Sequence, residues 1–170
     1  LRATRQLEPI KPRLFPMQAF GWTYNKQRYP MDTHLGEVIL LTRWATWCKS
    51  CKYDLIAKKK LARQVKVLPV AIVGVSHEPF RLVAKYHKNA PAPKIFPISL
   101  VDPRGSFARF LPGAAYPATT MIDLWGWIIA GKVGPGLWIT PAYQALFAYL
   151  RQLAPLAWKS LPQQTKLCRP

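Results

Sequence analysis

The stretch Gly36-Glu-Val-Ile-Leu-Leu-Thr-Arg-Trp-Ala-Thr-Trp-Cys-Lys-Ser-Cys51 decides how the rest of the chain is read. Its first half, Glu37 to Trp44, is Leu-rich and β-branched. It has strand length and is apolar on both faces at its start, the pattern of a central parallel strand. Its second half sets two cysteines at C-x-x-C spacing directly after that strand, where a helix expected from about Cys48 or Lys49 to Val65 begins. A thiol at Cys48 would sit at the helix N-terminus, where unpaired N–H groups and the positive end of the helix dipole favour the thiolate. Lys49 adds a neighbouring cation that acts in the same direction. A thiolate is the species that attacks a disulfide, and Cys51, one helical turn on, is placed to resolve the mixed disulfide. The spacing therefore predicts a reversible dithiol/disulfide couple.

Two blander uses of the cysteines fit less well. Half of a structural zinc site needs a second cysteine pair or closely spaced histidines, whereas Cys168 stands alone in the tail and His34, His77 and His87 are far apart. An inert structural disulfide would be unusual at so tight a spacing. No metal is expected, and no cofactor beyond the Cys48–Cys51 pair itself. Cys168 reads as a spare or intermolecular thiol.

Outward from the motif, Val67 to Val75 returns to a buried-strand pattern, so strand, helix and strand make a βαβ unit. Pro79 suits the first turn of a helix running to about His87, closed by the Asn89-Ala-Pro-Ala-Pro cluster. Ile95 to Val101 reads as a short strand broken by Pro97, and Arg104 to Leu111 as a short helix. Ala118 to Asp123 and Trp127 to Val133 have hairpin spacing about Leu124-Trp125-Gly126, followed by a helix from about Thr140 to Leu153. On the N-terminal side, Leu14 to Tyr29 suggests a hairpin with its turn near Asn25-Lys26. Residues 1 to 16 hold three prolines and no sustained periodicity, and no regular element is expected there. The domain boundaries that follow are an extended leader at 1–13, one α/β domain at 14–155 and a flexible tail at 156–170.

Composition narrows the function classes. The 170 residues carry 25 Lys+Arg against 7 Asp+Glu, a net charge of +18, yet half are apolar and Trp, Tyr and Phe number seven each. That is core-forming material, which argues against a disordered polycation. The longest apolar runs fall far short of the roughly 20 residues that span a bilayer. The net charge of +8, +6 and +4 over residues 1–60, 61–110 and 111–170 is dispersed, with no terminal basic arm of the kind that marks many nucleic-acid binders. The densest run is Lys58-Lys59-Lys60. On a helix Lys49, Lys52, Lys59, Lys60 and Arg63 share one arc, and Cys51, Leu55, Leu61, Ala62 and Val65 share another. This is an amphipathic helix with a basic outer stripe, which either keeps the protein soluble or steers acidic partners toward it.

The motif string, together with Val70-Ala-Ile-Val-Gly-Val-Ser76 and Tyr116-Pro-Ala-Thr-Thr-Met-Ile-Asp-Leu-Trp-Gly126, resembles the thioredoxin superfamily. More narrowly it resembles the TlpA-like branch of extracytoplasmic thiol-disulfide oxidoreductases, which includes cytochrome c maturation reductases. The resemblance spans roughly residues 14 to 153. It implies a thioredoxin-like fold, a central mixed sheet flanked by helices with an N-terminal β-hairpin extension. It also implies that Pro117 is the cis-proline opposite the dithiol, which leaves the backbone of Tyr116 free to pair with an incoming peptide strand. Asp54, three residues after Cys51, stands where the branch often has a Glu, and the resemblance makes it a candidate proton relay for Cys51.

The chain also departs from the pattern. Thr42 occupies the position where thioredoxin itself carries a buried Asp, Ser50 and Leu55 replace prolines common in the branch, and Tyr116 is bulkier than the usual residue before the cis-proline.

The expected activity is thiol-disulfide exchange with protein substrates, leaning toward disulfide reduction. Cys48 is the attacking thiol, Cys51 the resolving thiol, Lys49 the thiolate-favouring cation, and Trp47, Tyr116 and Pro117 the substrate-binding residues. A thiol oxidase resembling DsbA, or a basic binding module with a non-catalytic dithiol, are the alternatives. A membrane or periplasmic redox partner is expected. So is an extracytoplasmic location, with a signal or anchor preceding Leu1.

Overall fold

Val38–Arg43 forms the innermost strand because its side chains are closed off on both faces; Val38, Ile39, Leu40 and Leu41 are all fully buried. A computed structural model describes residues 8–65, 69–90 and 96–160. In chain order the strands are β1 (Glu8–Leu14), β2 (Phe20–Thr23), β3 (Arg28–Pro30), β4 (Val38–Arg43), β5 (Val70–Ser76), β6 (Ile98–Val101), β7 (Ala118–Ile122) and β8 (Trp127–Val133). The helices are α1 (Lys49–Gln64), α2 (Phe80–Asn89) and α3 (Pro141–Ser160). The strands make one mixed eight-stranded sheet in the order β1-β8-β7-β4-β5-β6-β2-β3, in which β4 runs parallel to β5 and antiparallel to β7. The α/β class and the thioredoxin-like arrangement expected from the motif are what the chain adopts.

Strand alternation sorts the core into two sides. Val38 and Leu40 point toward α1 and α3, where Leu61, Trp138, Phe147 and Leu150 pack. Ile39 and Leu41 point to the opposite face, where Phe15, Phe107 and Phe110 close the sheet. Thr42 lies on the Val38 side, and the register sets it opposite Thr119 of β7. That pairing places two hydroxyls under α1. Among the described residues no helix is long and apolar enough to cross a membrane.

Four local expectations change. Residues 8–14, where no regular element is expected, form β1 on the edge of the sheet against β8, with a register shift between Pro9 and Arg13. Prolines lack an N–H and are tolerated at an edge, where one side of the ladder needs no donor. The helix expected to stop at Leu153 continues through Pro155 to Ser160. Pro155 lacks the N–H that would bond the Arg151 carbonyl, yet the helix carries on past it and Ala157 beyond it is fully buried. Only the last ten residues of the expected tail, Cys168 with them, lie outside the described residues. The helix expected at Arg104–Leu111 is a single 3-10 turn at Ala108–Phe110. The expected N-terminal hairpin is confined to β2 and β3, its turn at Lys26 in the left-handed region with φ 63°.

Candidate active site

The loop that leaves β4 is braced from beneath before it presents any chemistry. Trp44 is buried, its ring 5.3 Å from those of Phe96 and Tyr86. It fits because β5 carries glycine below it: a Cβ on Gly74 would lie 2.5 Å from Phe96 and 2.8 Å from Trp44. Thr46 donates its backbone N–H and its hydroxyl to the two carboxylate oxygens of Glu78, at 2.6 and 2.8 Å, and the Ser76 hydroxyl donates to the same carboxylate at 3.1 Å. Two strand ends are thereby tied together through one acid, immediately before the dithiol.

Cys48 is the N-cap of α1, and its Sγ accepts the Cys51 backbone N–H at 3.1 Å, which satisfies one of the helix's unpaired donors. Cys48 and Cys51 form a disulfide, with Cα atoms 5.3 Å apart. Both residues are nearly inaccessible, at 3% and 1% exposure. What reaches solvent is the neighbouring side chain: Trp47 is 67% exposed, and its ring lies 5.1 Å from that of Tyr116. Tyr116 packs on the buried group that contains the two cysteines, and the Tyr116–Pro117 peptide bond is cis. Arg43 reaches across the other side of Tyr116, 5.9 Å from its ring, and donates to the Gly113 carbonyl at 2.5 Å. Trp47, Cys48, Cys51, Tyr116 and Pro117, far apart in sequence, thus converge on one end of the sheet. Lys49 stands exposed in the first turn of α1 beside Cys48.

Behind the disulfide lies a closed polar cluster. Asp54 is 1% exposed, and its Oδ1 accepts from the Gly136 N–H at 2.9 Å and the Trp138 indole N–H at 2.7 Å. Its Oδ2 takes the Lys58 ammonium. Lys58 is fully buried and donates also to the Thr42 and Thr119 hydroxyls, at 2.8 Å each, while its charge sits 4.7 Å over the Trp138 ring. An ammonium has three protons, and here each has an acceptor. Burial pushes the Lys58 pKa below the ordinary lysine value, and the attraction and hydrogen bond of Asp54 oppose that shift. The Lys58-Lys59-Lys60 run therefore divides, with Lys60 on the exposed stripe and Lys58 turned into the core.

The comparisons with known proteins bear on this arrangement. No family model matches the chain. The thiol:disulfide interchange protein DsbE of Pasteurella multocida is 31% identical over 139 residues, which cover 77% of this chain and 74% of that protein. The chain belongs to the DsbE family. As a DsbE-family member it is a thiol-disulfide oxidoreductase whose substrates are protein thiols and disulfides. Two solved structures share the fold: DsbF of MTB in its mixed oxidized and reduced forms, with TM-score 0.58 and 22% identity over 81% of this chain and 96% of that one; and the exposed lipoprotein thioredoxin Etrx1 of Streptococcus pneumoniae, with TM-score 0.59 and 18% identity over 79% and 98%.

Within this DsbE-family site, four residues escape the sequence pattern. Lys58 was hidden in a run of lysines, although its spacing four residues after Asp54 is that of a helical ion pair. Glu78 follows Ser76 by two residues, a local signal that a side chain turns back on the strand end. Arg43 and Trp138 carry no local signal, because their partners are 70 and 84 residues away.

Proposed function

We propose that the protein reduces disulfides in protein substrates outside the cytoplasm, with Cys48 as the attacking thiolate and Cys51 as the resolving thiol. In the reduced enzyme the Cys48 thiolate attacks one sulfur of a substrate disulfide. The substrate S–S bond breaks, a Cys48–substrate mixed disulfide forms, and the first substrate thiolate leaves and takes a proton. Cys51, deprotonated, then attacks Cys48 Sγ, which releases the second substrate thiol and closes the Cys48–Cys51 disulfide. Two electrons pass to the substrate, and a dithiol donor at the membrane or in the periplasm restores the reduced enzyme.

The observation that carries this reading is the Cys48 Sγ at the head of α1, accepting the Cys51 N–H beside exposed Trp47. Trp47, Tyr116 and the Pro117 loop hold the substrate strand, and Lys49 favours the Cys48 thiolate. Asp54 receives the Cys51 proton in this scheme, and Lys58 fixes the carboxylate through Oδ2 while the strand hydroxyls fix Lys58. The extracytoplasmic assignment is supported by the TlpA-like character of the motif and by the exposed lipoprotein thioredoxin among proteins of this fold.

Thiol oxidation is the second reading. The Cys51 N–H on Cys48 Sγ and the Lys49 charge both stabilise the reduced thiolate form, which raises the potential. The reduction potential separates the two: about −200 mV or lower is expected for the reductase, and a value near −120 mV would make the protein an oxidant. Cys48→Ser should abolish insulin-disulfide turnover; a wild type without turnover would end both readings.

A further inference from the structure

Beside the dithiol, the loop into α1, the start of α1 and one side of α2 border a groove of about 440 Å³ lined by Thr46, Trp47, Lys52, Leu82, Lys85 and Tyr86. That volume falls within the roughly 300–1,000 Å³ of sites that hold a small ligand or a few side chains. Its apolar side chains are open to water: Trp47 is 67% exposed and Leu82 40%. Its charged side chains are cationic. Lys52 lies 5.2 Å over the Tyr86 ring, and Lys85 is exposed on α2, where Arg81 and Lys88, four residues before it and three after, share its side of the helix. Lys49 precedes Lys52 by three residues on α1, so both helices turn positive charge toward the same opening.

No acidic residue lines the groove. Glu78, the acid just ahead of α2, lies behind Thr46 and outside the lining, its oxygens held by the neutral donors of Thr46 and Ser76. Among the described residues neither Lys52 nor Lys85 is ion-paired. A half-apolar opening with unneutralised lysines and no internal acid is complementary to an extended acidic peptide that also carries an apolar side chain. The groove begins at Trp47, the residue before Cys48, which sets it next to the dithiol in the chain.

We propose that this groove receives an acidic segment of the protein substrate next to its reactive disulfide, with Lys52 and Lys85 reading the carboxylates and Trp47 and Leu82 taking the apolar side chain. The inference deepens the reading of Cys48 as the attacking thiol and rests on it for the orientation of the substrate.

The test uses two fluorescein-labelled peptides with the same apolar core and serine in place of cysteine, one flanked by Asp and Glu, the other by Asn and Gln. Binding to the oxidised full chain is followed by anisotropy at low and high salt. The acidic peptide should bind about tenfold more tightly at low salt, and salt should erase the difference. Lys52→Glu with Lys85→Glu should remove the preference, whereas Lys11→Glu, on the β1 edge away from the groove, should keep it. Equal binding of the two peptides by the wild type, or a preference that survives the double substitution or is lost in Lys11→Glu, would overturn the proposal.

Disulfide-containing versions of the peptides then separate this inference from the redox reading. The acidic-to-neutral ratio of kcat/KM should follow the binding ratio. Acid-selective binding lost in the double variant, without turnover of either disulfide peptide, would sustain the groove and overturn the role of Cys48.

Discussion

The two sides of the Cys48–Cys51 disulfide are built on opposite principles. On the outer side Trp47 and Lys49 are exposed and Tyr116 is half-buried, with the Trp47 and Tyr116 rings 5.1 Å apart. On the inner side Asp54, Lys58, Thr42, Thr119 and Trp138 form a closed cluster in which the carboxylate oxygens and the ammonium protons are all engaged. The difference teaches where function and stability divide. Changes outside should alter how substrates are met while leaving the fold intact, and changes inside should be felt first by the fold, because an orphaned buried charge cannot be rehydrated.

The strongest way to break this contrast is Lys58→Met. Removing one partner of a buried pair leaves the Asp54 carboxyl in the core without the ammonium that compensates it, so we expect a loss of about 3–5 kcal/mol, read by denaturant titration. A loss under about 1 kcal/mol would show that the inner cluster is dispensable. Next in size is Trp47→Ala, which removes an exposed aromatic anchor. It should lower kcat/KM for a protein disulfide about tenfold, with stability unchanged to within about 0.5 kcal/mol. An equal fall in stability would merge the two sides into one structural unit.

How far these positions could be read from sequence follows the range of their contacts. β4, the C-x-x-C step and α1 were legible because strand pattern, motif and helix start lie within one continuous stretch, and the β7–β8 hairpin because its turn glycine, Gly126, sits between two apolar runs with φ 91°. β1 was not, since its prolines signal irregular chain and only the partner strand β8 makes them an edge. The end of α3 is missed for a related reason: Pro155 reads locally as a stop, whereas the core that buries Ala157 beyond it is assembled from distant elements and has no local signature.

The site divides in the same way. Cys48, Cys51, Trp47 and the Tyr116-Pro117 step are written in short motifs. Lys58 is not, because three consecutive lysines read as a solvated face until the register of Thr42 against Thr119 supplies two acceptors beneath one of them. The departure at Thr42 and the burial of Lys58 are two ends of one feature, in which a hydroxyl on β4 receives the lysine of α1.

A smaller effect sharpens the contrast through pH. His87 on α2 stacks on Tyr24 at 4.1 Å and meets Trp44 edge-on, and its Nε2 is buried without a hydrogen-bond partner among the described residues. Burial lowers its pKa below 6.5. Below that pH the unfolded chain takes up a proton that the folded imidazole resists, so the stability His87 contributes is full above 6.5 and is lost as the pH falls toward the folded value. His87→Phe should remove this component, and the gap between the two stability-pH curves should open only on the acid side. Parallel curves would place the acid sensitivity elsewhere.

The most direct test of the central claim is capture of the reaction half-way. With Cys51→Ser the mixed disulfide formed by Cys48 has no resolving thiol and should accumulate as a covalent complex with a disulfide-bearing protein substrate, released by dithiothreitol and mapped by mass spectrometry to Cys48. Absence of any such complex, or one carried by Cys168 in its place, would contradict the assignment of Cys48 as the attacking thiol.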